Sequence, residues 1–117
     1  EIPVRFEFGD GIVVDFDQFE LTVAGTTHTL TTMEIQLLRY FIEHESRVRS
    51  RDQIMEDVWE DNSAFSTRSI DNFVMRLRRL IEPLPSAPRH ILSVRGTGYR
   101  FVANPEPGDV DSESESS

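Results

Sequence analysis

The sequence of 117 residues contains no cysteine and no lysine. Without cysteine, a disulfide framework and a thiolate zinc site are both excluded, and the three histidines lie too far apart for a local metal cluster. Without lysine, the phosphate-binding loop that ends in Gly-Lys-Ser/Thr is excluded as well. No apolar run exceeds three residues, so the sequence predicts no membrane-spanning helix. We therefore expect one small cytoplasmic domain that holds no metal and no cofactor.

The charge of the chain is unevenly distributed along its length. The formal net charge is −9, yet residues 62–102 carry seven arginines against two acids and reach +5. The segments 1–34, 35–61 and 103–117 carry −6, −3 and −5. A local excess of arginine in an otherwise acidic chain indicates a confined electrostatic footprint for a polyanion.

Turn signals and apolar periodicity divide the chain into a sheet, three helices, a hairpin and a tail. Alternating apolar residues and glycine turns predict a small antiparallel sheet over about residues 4–30. Thr31 stands three positions before Glu34, and Ser50 stands three positions before Gln53. Each pair has the spacing of a capping box, which marks the start of a helix. The predicted helices span about 32–46, 50–59 and 67–82, a hairpin is predicted at about 90–102, and residues 104–117 are expected to be a disordered acidic tail.

The third predicted helix has a charged face of one sign. At about 100° per residue, its apolar residues gather on one side and its polar residues on the other. The polar face consists of Arg68, Ser69, Asn72, Arg76 and Arg79. No acid on this face pairs with the arginines, so they are available to an external anion such as phosphate or a base edge. Arg78 lies off the face beside Asp71 and is expected to make a structural contact. An ordinary amphipathic helix with a solvated face is the alternative interpretation.

The predicted hairpin SVRGTGYRF is the second basic element. It does not match a dinucleotide-binding loop, because Gly96 and Gly98 have no third glycine at the right spacing and no helix follows. Two interpretations stay open at this stage. The turn either presents Arg95 to a phosphate or a minor groove, or is an ordinary hairpin whose glycines permit positive φ.

Four segments in a fixed order carry a family resemblance: LTTMEIQLL, SRDQIMEDVW, TRSIDNFVMRLRRLIE and ILSVRGTGYRF. Together they resemble the winged-helix effector domain of the OmpR/PhoB type of bacterial response regulator. The resemblance implies an α+β winged helix-turn-helix fold with an N-terminal antiparallel β-sheet, three helices and a C-terminal β-hairpin wing. It places this DNA-binding domain at residues 1–103, with the acidic tail outside it.

The resemblance also implies roles for individual residues, with the third helix in a major groove and the wing toward a minor groove. Base or groove contacts are expected from Arg68, Ser69, Asn72, Phe73, Arg76, Arg79 and Arg95. Phosphate contacts, direct or supported, are expected from Arg51, Trp59, Ser93, Thr97 and Tyr99. Asp71 and Arg78 are expected to be structural. Phe73 stands where many members carry histidine, so it either packs on a thymine methyl group or joins the core, and Trp59 has a core interpretation too.

The implied partner is double-stranded DNA, bound as a dimer at direct repeats. The loop 60–66 matches a segment that in some members touches RNA polymerase. The resemblance to two-component transcription regulators also implies an upstream receiver or sensor domain. Since the sequence begins with Glu1 rather than Met, we expect it to be a fragment of such a protein.

Two other function classes compete with sequence-specific DNA binding as interpretations of the sequence. Winged helices also bind proteins, and a net charge of −9 would oppose the approach to DNA, so a protein-interaction module is the alternative. A steep loss of DNA affinity with salt would distinguish the two. An enzyme is not predicted, because no Ser/His/Asp or metal-ligand spacing accompanies the carboxylates.

Overall fold

The computed structural model describes residues 4–58 and 67–105, with the backbone alone at residues 67 and 68. Within these ranges the chain forms two antiparallel sheets and three helices. The elements are β1 (Arg5–Phe8), β2 (Ile12–Asp15), β3 (Glu20–Val23), β4 (Thr26–Thr29), α1 (Thr32–Glu43), β5 (Val48–Ser50), α2 (Arg51–Val58), α3 (Thr67–Ile81), β6 (Ile91–Val94) and β7 (Gly98–Phe101).

The N-terminal sheet is a four-stranded meander in the order β1-β2-β3-β4. Phe8 and Val14 alternate with more exposed neighbours, and both side chains are buried. Leu21, which pairs with Val14 across β2 and β3, is also buried. Period-two burial of this kind leaves one face of the sheet apolar, and that face packs on the core. The predicted N-terminal antiparallel sheet is confirmed.

The start of α1 agrees with the predicted capping box, but its end does not agree with the predicted boundary. Thr31 Oγ1 accepts from Glu34 N at 3.3 Å, and Glu34 Oε1 accepts from Thr31 N at 2.9 Å. The helix ends at Glu43 instead of about residue 46. Ser46 has a left-handed φ of 69°, and its N–H donates to the carbonyl oxygen of Phe101 at 2.7 Å. The chain therefore leaves the helix early in order to join the C-terminal sheet.

That sheet contains a strand that the sequence did not indicate. β5 pairs with β7, which also pairs with β6, so the wing hairpin is extended to three strands. The close approach of β5 and β7 requires glycine at position 98, because a Cβ atom there would overlap the carbonyl oxygen of Arg49. Ser50, the last residue of β5, caps α2 as predicted, because its Oγ accepts from Gln53 N at 3.1 Å.

The apolar face of α3 forms the centre of the core. Four side chains at helical spacing are at most 2% exposed: Ile70, Val74, Leu77 and Ile81. Phe8 and Phe101 belong to the same core and join the two sheets, with ring centroids 5.2 Å apart at an interplanar angle of 80°. The predicted α+β winged helix-turn-helix, with three helices and a C-terminal wing, is confirmed.

Just beyond α3, Glu82 fixes the path of the chain toward the wing. Its buried carboxylate accepts from the backbone N–H groups of Arg89, His90 and Ile91 at 2.8 to 3.2 Å. A buried carboxylate is tolerated where several donors satisfy its oxygens. The contact sets the start of β6 relative to α3. Just beyond the end of β7 lies Asn104, the first residue of the predicted tail, whose Oδ1 accepts from Gly9 N at 3.1 Å.

Candidate nucleic-acid interface

The solvent side of α3 carries the side chains that the sequence placed on one helical face. Asn72, Arg76 and Arg79 are exposed, as is Met75, which is 42% exposed. We call these four residues the basic face. Ser69 at its edge is partly buried, and the backbone of Arg68 belongs to the first turn of the same helix. Two positively charged side chains therefore stand on an open helix surface without an acid between them.

Arg76 has two neighbours that restrict its orientation. Its guanidinium carbon lies 5.0 Å from the centroid of the Phe73 ring. Its Nη1 lies 4.0 Å from Oε2 of Glu34, which comes from α1. Phe73 is half-buried and packs against the core, with Arg76 above its ring. This packing agrees with the interpretation in which Phe73 joins the core. Sequence reasoning missed Glu34 as a neighbour, because it compared charges only within one helix.

Arg78 is turned away from the basic face. It is 9% exposed, and its guanidinium donates to the carbonyl oxygen of Ile91 through Nε at 3.0 Å and Nη2 at 2.8 Å. Nη2 also donates to Ser93 Oγ at 2.9 Å. These bonds attach α3 to β6. Adjacent arginines in the sequence thus have different surroundings, since Arg79 remains exposed.

Arg51, Asp71 and Tyr99, which we call the α3 network, connect α2, α3 and the wing. Asp71 Oδ1 accepts from Arg51 Nε at 2.9 Å and from the Tyr99 hydroxyl at 2.7 Å. The Arg51 guanidinium carbon lies 5.5 Å from the centroid of the Tyr99 ring. Burial and the bond to Asp71 raise the pKa of Tyr99 to about 12, and the same carboxylate raises the pKa of Arg51.

The wing tip lies beside the start of α2. Arg95 and Thr97 are exposed in the turn between β6 and β7, and Gly96 takes a φ of 75°. The carbonyl oxygen of Thr97 accepts from the backbone N–H of Arg51 at 3.3 Å. The wing tip and the α3 network are therefore parts of one surface.

A second network, which sequence reasoning missed, lies between α1, β5 and α2. It consists of Tyr40, Arg49 and Asp57, and we call it the α1 network. Arg49 Nε donates to the Tyr40 hydroxyl oxygen at 2.9 Å, and that hydroxyl donates to Asp57 Oδ2 at 2.7 Å. Burial of the ring raises the pKa of the Tyr40 hydroxyl. No local spacing signals this network, because its members lie 9 and 17 residues apart along the chain.

Some predicted features lie outside the described residues, namely Trp59, the loop 60–66 and most of the acidic tail. The side chain of Arg68 does as well. In residues 4–58 and 67–105, no group of three or more His, Asp or Glu side chains is arranged to hold a metal ion. In the same ranges, no helix has the length and apolar character needed to cross a membrane.

Comparisons with known proteins relate the chain to transcriptional regulators. Residues 25–101 match the family model described as transcriptional regulatory protein, C terminal. The chain is 44% identical over 87 residues to the transcriptional regulatory protein YvrH of Bacillus subtilis, covering 74% of this chain and 37% of YvrH.

Two solved structures are similar in fold. Response regulator DrrB of Thermotoga maritima, an OmpR/PhoB homologue, superposes with a TM-score of 0.74 at 30% identity, over 85% of this chain and 44% of DrrB. The DNA-binding domain of Bacillus subtilis CssR gives a TM-score of 0.66 at 31% identity, over 79% of this chain and 100% of that domain. The chain thus spans less than half of YvrH and DrrB and the whole of an isolated DNA-binding domain.

Proposed function

The chain belongs to the OmpR/PhoB-type family of C-terminal transcriptional regulatory domains, which bind DNA sequence-specifically, and we propose that α3 supplies its base contacts from a major groove. The observation that carries the proposal is the basic face of α3. An α-helix fits the major groove of B-DNA, and arginine offers a bidentate fork to guanine O6 and N7. Arg76 and Arg79 present such forks on an exposed helix surface.

The proposed groove contacts come from α3 and the wing tip. They are Arg68, Ser69, Asn72, Phe73, Arg76, Arg79 and Arg95. Arg76 is the proposed base reader, because it is exposed and already oriented by Phe73 and Glu34. We assign Arg95 to a minor groove, because a narrow minor groove has a negative potential that attracts arginine. Phe73 contributes chiefly through Arg76, because its ring packs on the core and under the guanidinium.

The proposed phosphate contacts, direct or supported, are those that the family resemblance implies. They are Arg51, Trp59, Ser93, Thr97 and Tyr99. Arg51 is 38% exposed and retains donors beyond the one it gives to Asp71. Tyr99 donates its only hydroxyl hydrogen to Asp71, so we assign it to positioning Arg51 through that carboxylate. Ser93 supports the surface in the same indirect way, because it accepts from Arg78.

The proposals on other domains and protein partners rest on the family and on the share of its relatives' length that the chain spans. The chain spans 37% of YvrH and 44% of DrrB, which supports an upstream receiver domain in the complete protein. We further propose binding as a dimer to direct repeats, a contact of the loop 60–66 with RNA polymerase, and a cytoplasmic location. Each follows from the resemblance of the sequence to response regulators.

Selection of bound sites from random double-stranded DNA tests the proposed function. The expected result is enrichment of one common sequence, with an affinity that falls steeply as salt rises, because phosphate contacts release counterions. Recovery of unselected sequences only, or an affinity that does not respond to salt, would favour the protein-interaction alternative. A selected duplex also supplies the specific ligand for the DNA-binding measurements on the variants.

A further inference from the structure

Glu34 connects the cap of α1 to the basic face. Its Oε1 is held at 2.9 Å by the backbone N–H of Thr31, and its own N–H donates to Thr31 Oγ1 at 3.3 Å. The Glu34 side chain is 12% exposed. The second oxygen, Oε2, points to Nη1 of Arg76 at 4.0 Å. The carboxylate is therefore a fixed negative charge next to the proposed base reader.

Arg76 is held between this carboxylate and an aromatic ring without being covered. The Phe73 ring centroid lies 5.0 Å from its guanidinium carbon, while 55% of the Arg76 side chain is exposed. An exposed arginine normally samples many rotamers, and ordering it costs conformational entropy. Two contacts that favour one orientation reduce that cost for any acceptor lying along it.

Phosphate groups are present at every position of every DNA sequence, whereas the two acceptors of a guanine edge are present only where the sequence has a G·C base pair. A guanidinium that swings to a phosphate must leave Glu34 and give up its attraction. A guanidinium that meets a base edge in its held orientation does not. Given the proposed function, we propose that Glu34 is a specificity-determining residue, which disfavours contacts of Arg76 with arbitrary phosphates relative to its base contact.

The test compares Glu34→Gln with Glu43→Gln in the same chain. Gln also serves in a capping box, so Glu34→Gln keeps the start of α1. Glu43 lies on the same helix in an exposed pair with Arg39, so Glu43→Gln makes the same change in net charge away from Arg76. The measured quantity is the affinity for the selected duplex divided by the affinity for random duplexes of equal length.

We expect this ratio to fall about threefold in Glu34→Gln relative to Glu43→Gln, a size typical of a partly exposed ion pair. Long-range repulsion from DNA affects both duplexes alike and cancels in the ratio. In an Arg76→Ala background, Glu34→Gln should leave the ratio unchanged, because the effect acts through Arg76.

Equal ratios in the two Gln variants would overturn the assignment of Glu34, as would a fall that persists in the Arg76→Ala background. These outcomes differ from failure of the proposed function, in which the unsubstituted protein itself shows no preference for a selected duplex. Thermal unfolding of each variant verifies that it is folded.

Discussion

The α3 network and the α1 network are built from the same three residue types, one arginine, one aspartate and one tyrosine, but they differ in which group is central. In the α3 network the carboxylate of Asp71 accepts from both Arg51 and Tyr99. In the α1 network the hydroxyl of Tyr40 is central, since it accepts from Arg49 and donates to Asp57. Residue types alone therefore do not determine what each network does.

The position of each network explains the difference in its proposed role. The α3 network joins α2 to α3 and lies beside the wing tip, where Arg51 N–H donates to Thr97 O. The α1 network joins α1 to α2 through β5, and its arginine is 19% exposed. One arginine therefore stands on the proposed DNA-binding surface with donors to spare, and the other serves a contact between helices.

Removing the aspartate of each network in turn should give the largest difference in stability between the two networks. Asp71→Ala leaves Arg51 and the buried Tyr99 hydroxyl without their shared acceptor, whereas Asp57→Ala leaves the bond between Arg49 and Tyr40 in place. We expect Asp71→Ala to lower the free energy of unfolding by about 2 kcal/mol and Asp57→Ala by less than about 1 kcal/mol. Urea denaturation measures both, and equal losses would contradict the distinction between the two central groups.

Alkaline pH should destabilise the folded protein through Tyr99 and, in the same direction, through Tyr40. The pKa of Tyr99 is about 12 in the folded protein and about 10 in an unfolded chain. The contribution of the Tyr99 hydroxyl to folding stability is therefore complete below pH 10 and is lost as pH rises toward 12, because this hydroxyl ionises first in the unfolded state. We expect unfolding free energy to fall by about 1–2 kcal/mol across this window.

The matched variants for this pH experiment are Tyr99→Phe and Tyr40→Phe. The loss between pH 10 and 12 should become smaller in Tyr99→Phe. Tyr40→Phe should reduce it too, since burial raises the pKa of Tyr40 in the same direction. An unchanged pH profile in Tyr99→Phe would show that its hydroxyl does not carry the dependence.

Replacing the arginine of each network in turn should give the smallest difference between the networks, and we expect this difference in DNA affinity. Arg51→Ala is expected to weaken selected and random duplexes alike by roughly 1 kcal/mol and to reduce the salt dependence by about one phosphate contact. Arg49→Ala should leave both affinities unchanged, because its donors are directed to Tyr40 and Asp57. A comparable loss in Arg49→Ala would place the α1 network on the DNA surface as well.

Much of the fold could be predicted because its signals are local. The capping boxes at Thr31 and Ser50 and the apolar stripe of α3 each depend on residues within one or two helical turns. β5 could not be predicted, because it has three residues and pairs with β7 about fifty positions later. Its existence depends on the close approach permitted by Gly98 rather than on its own sequence.

The candidate site was predictable to the same extent. Helical spacing alone distinguishes Arg76 from Arg78, since the two positions project from different sides of one helix. Glu34 was recognised only as a capping residue. Its approach to Arg76 depends on how α1 packs against α3, and no spacing in the sequence specifies the packing of two helices.

The central claim, that Arg76 reads bases while Arg51 contacts phosphate, is tested most directly by measuring Arg76→Ala and Arg51→Ala on the selected duplex and on random duplexes. The account predicts that Arg76→Ala costs about 1–3 kcal/mol on the selected duplex and much less on random DNA. Arg51→Ala should weaken both equally. Equal losses from Arg76→Ala on the two kinds of duplex would contradict its assignment as the base reader.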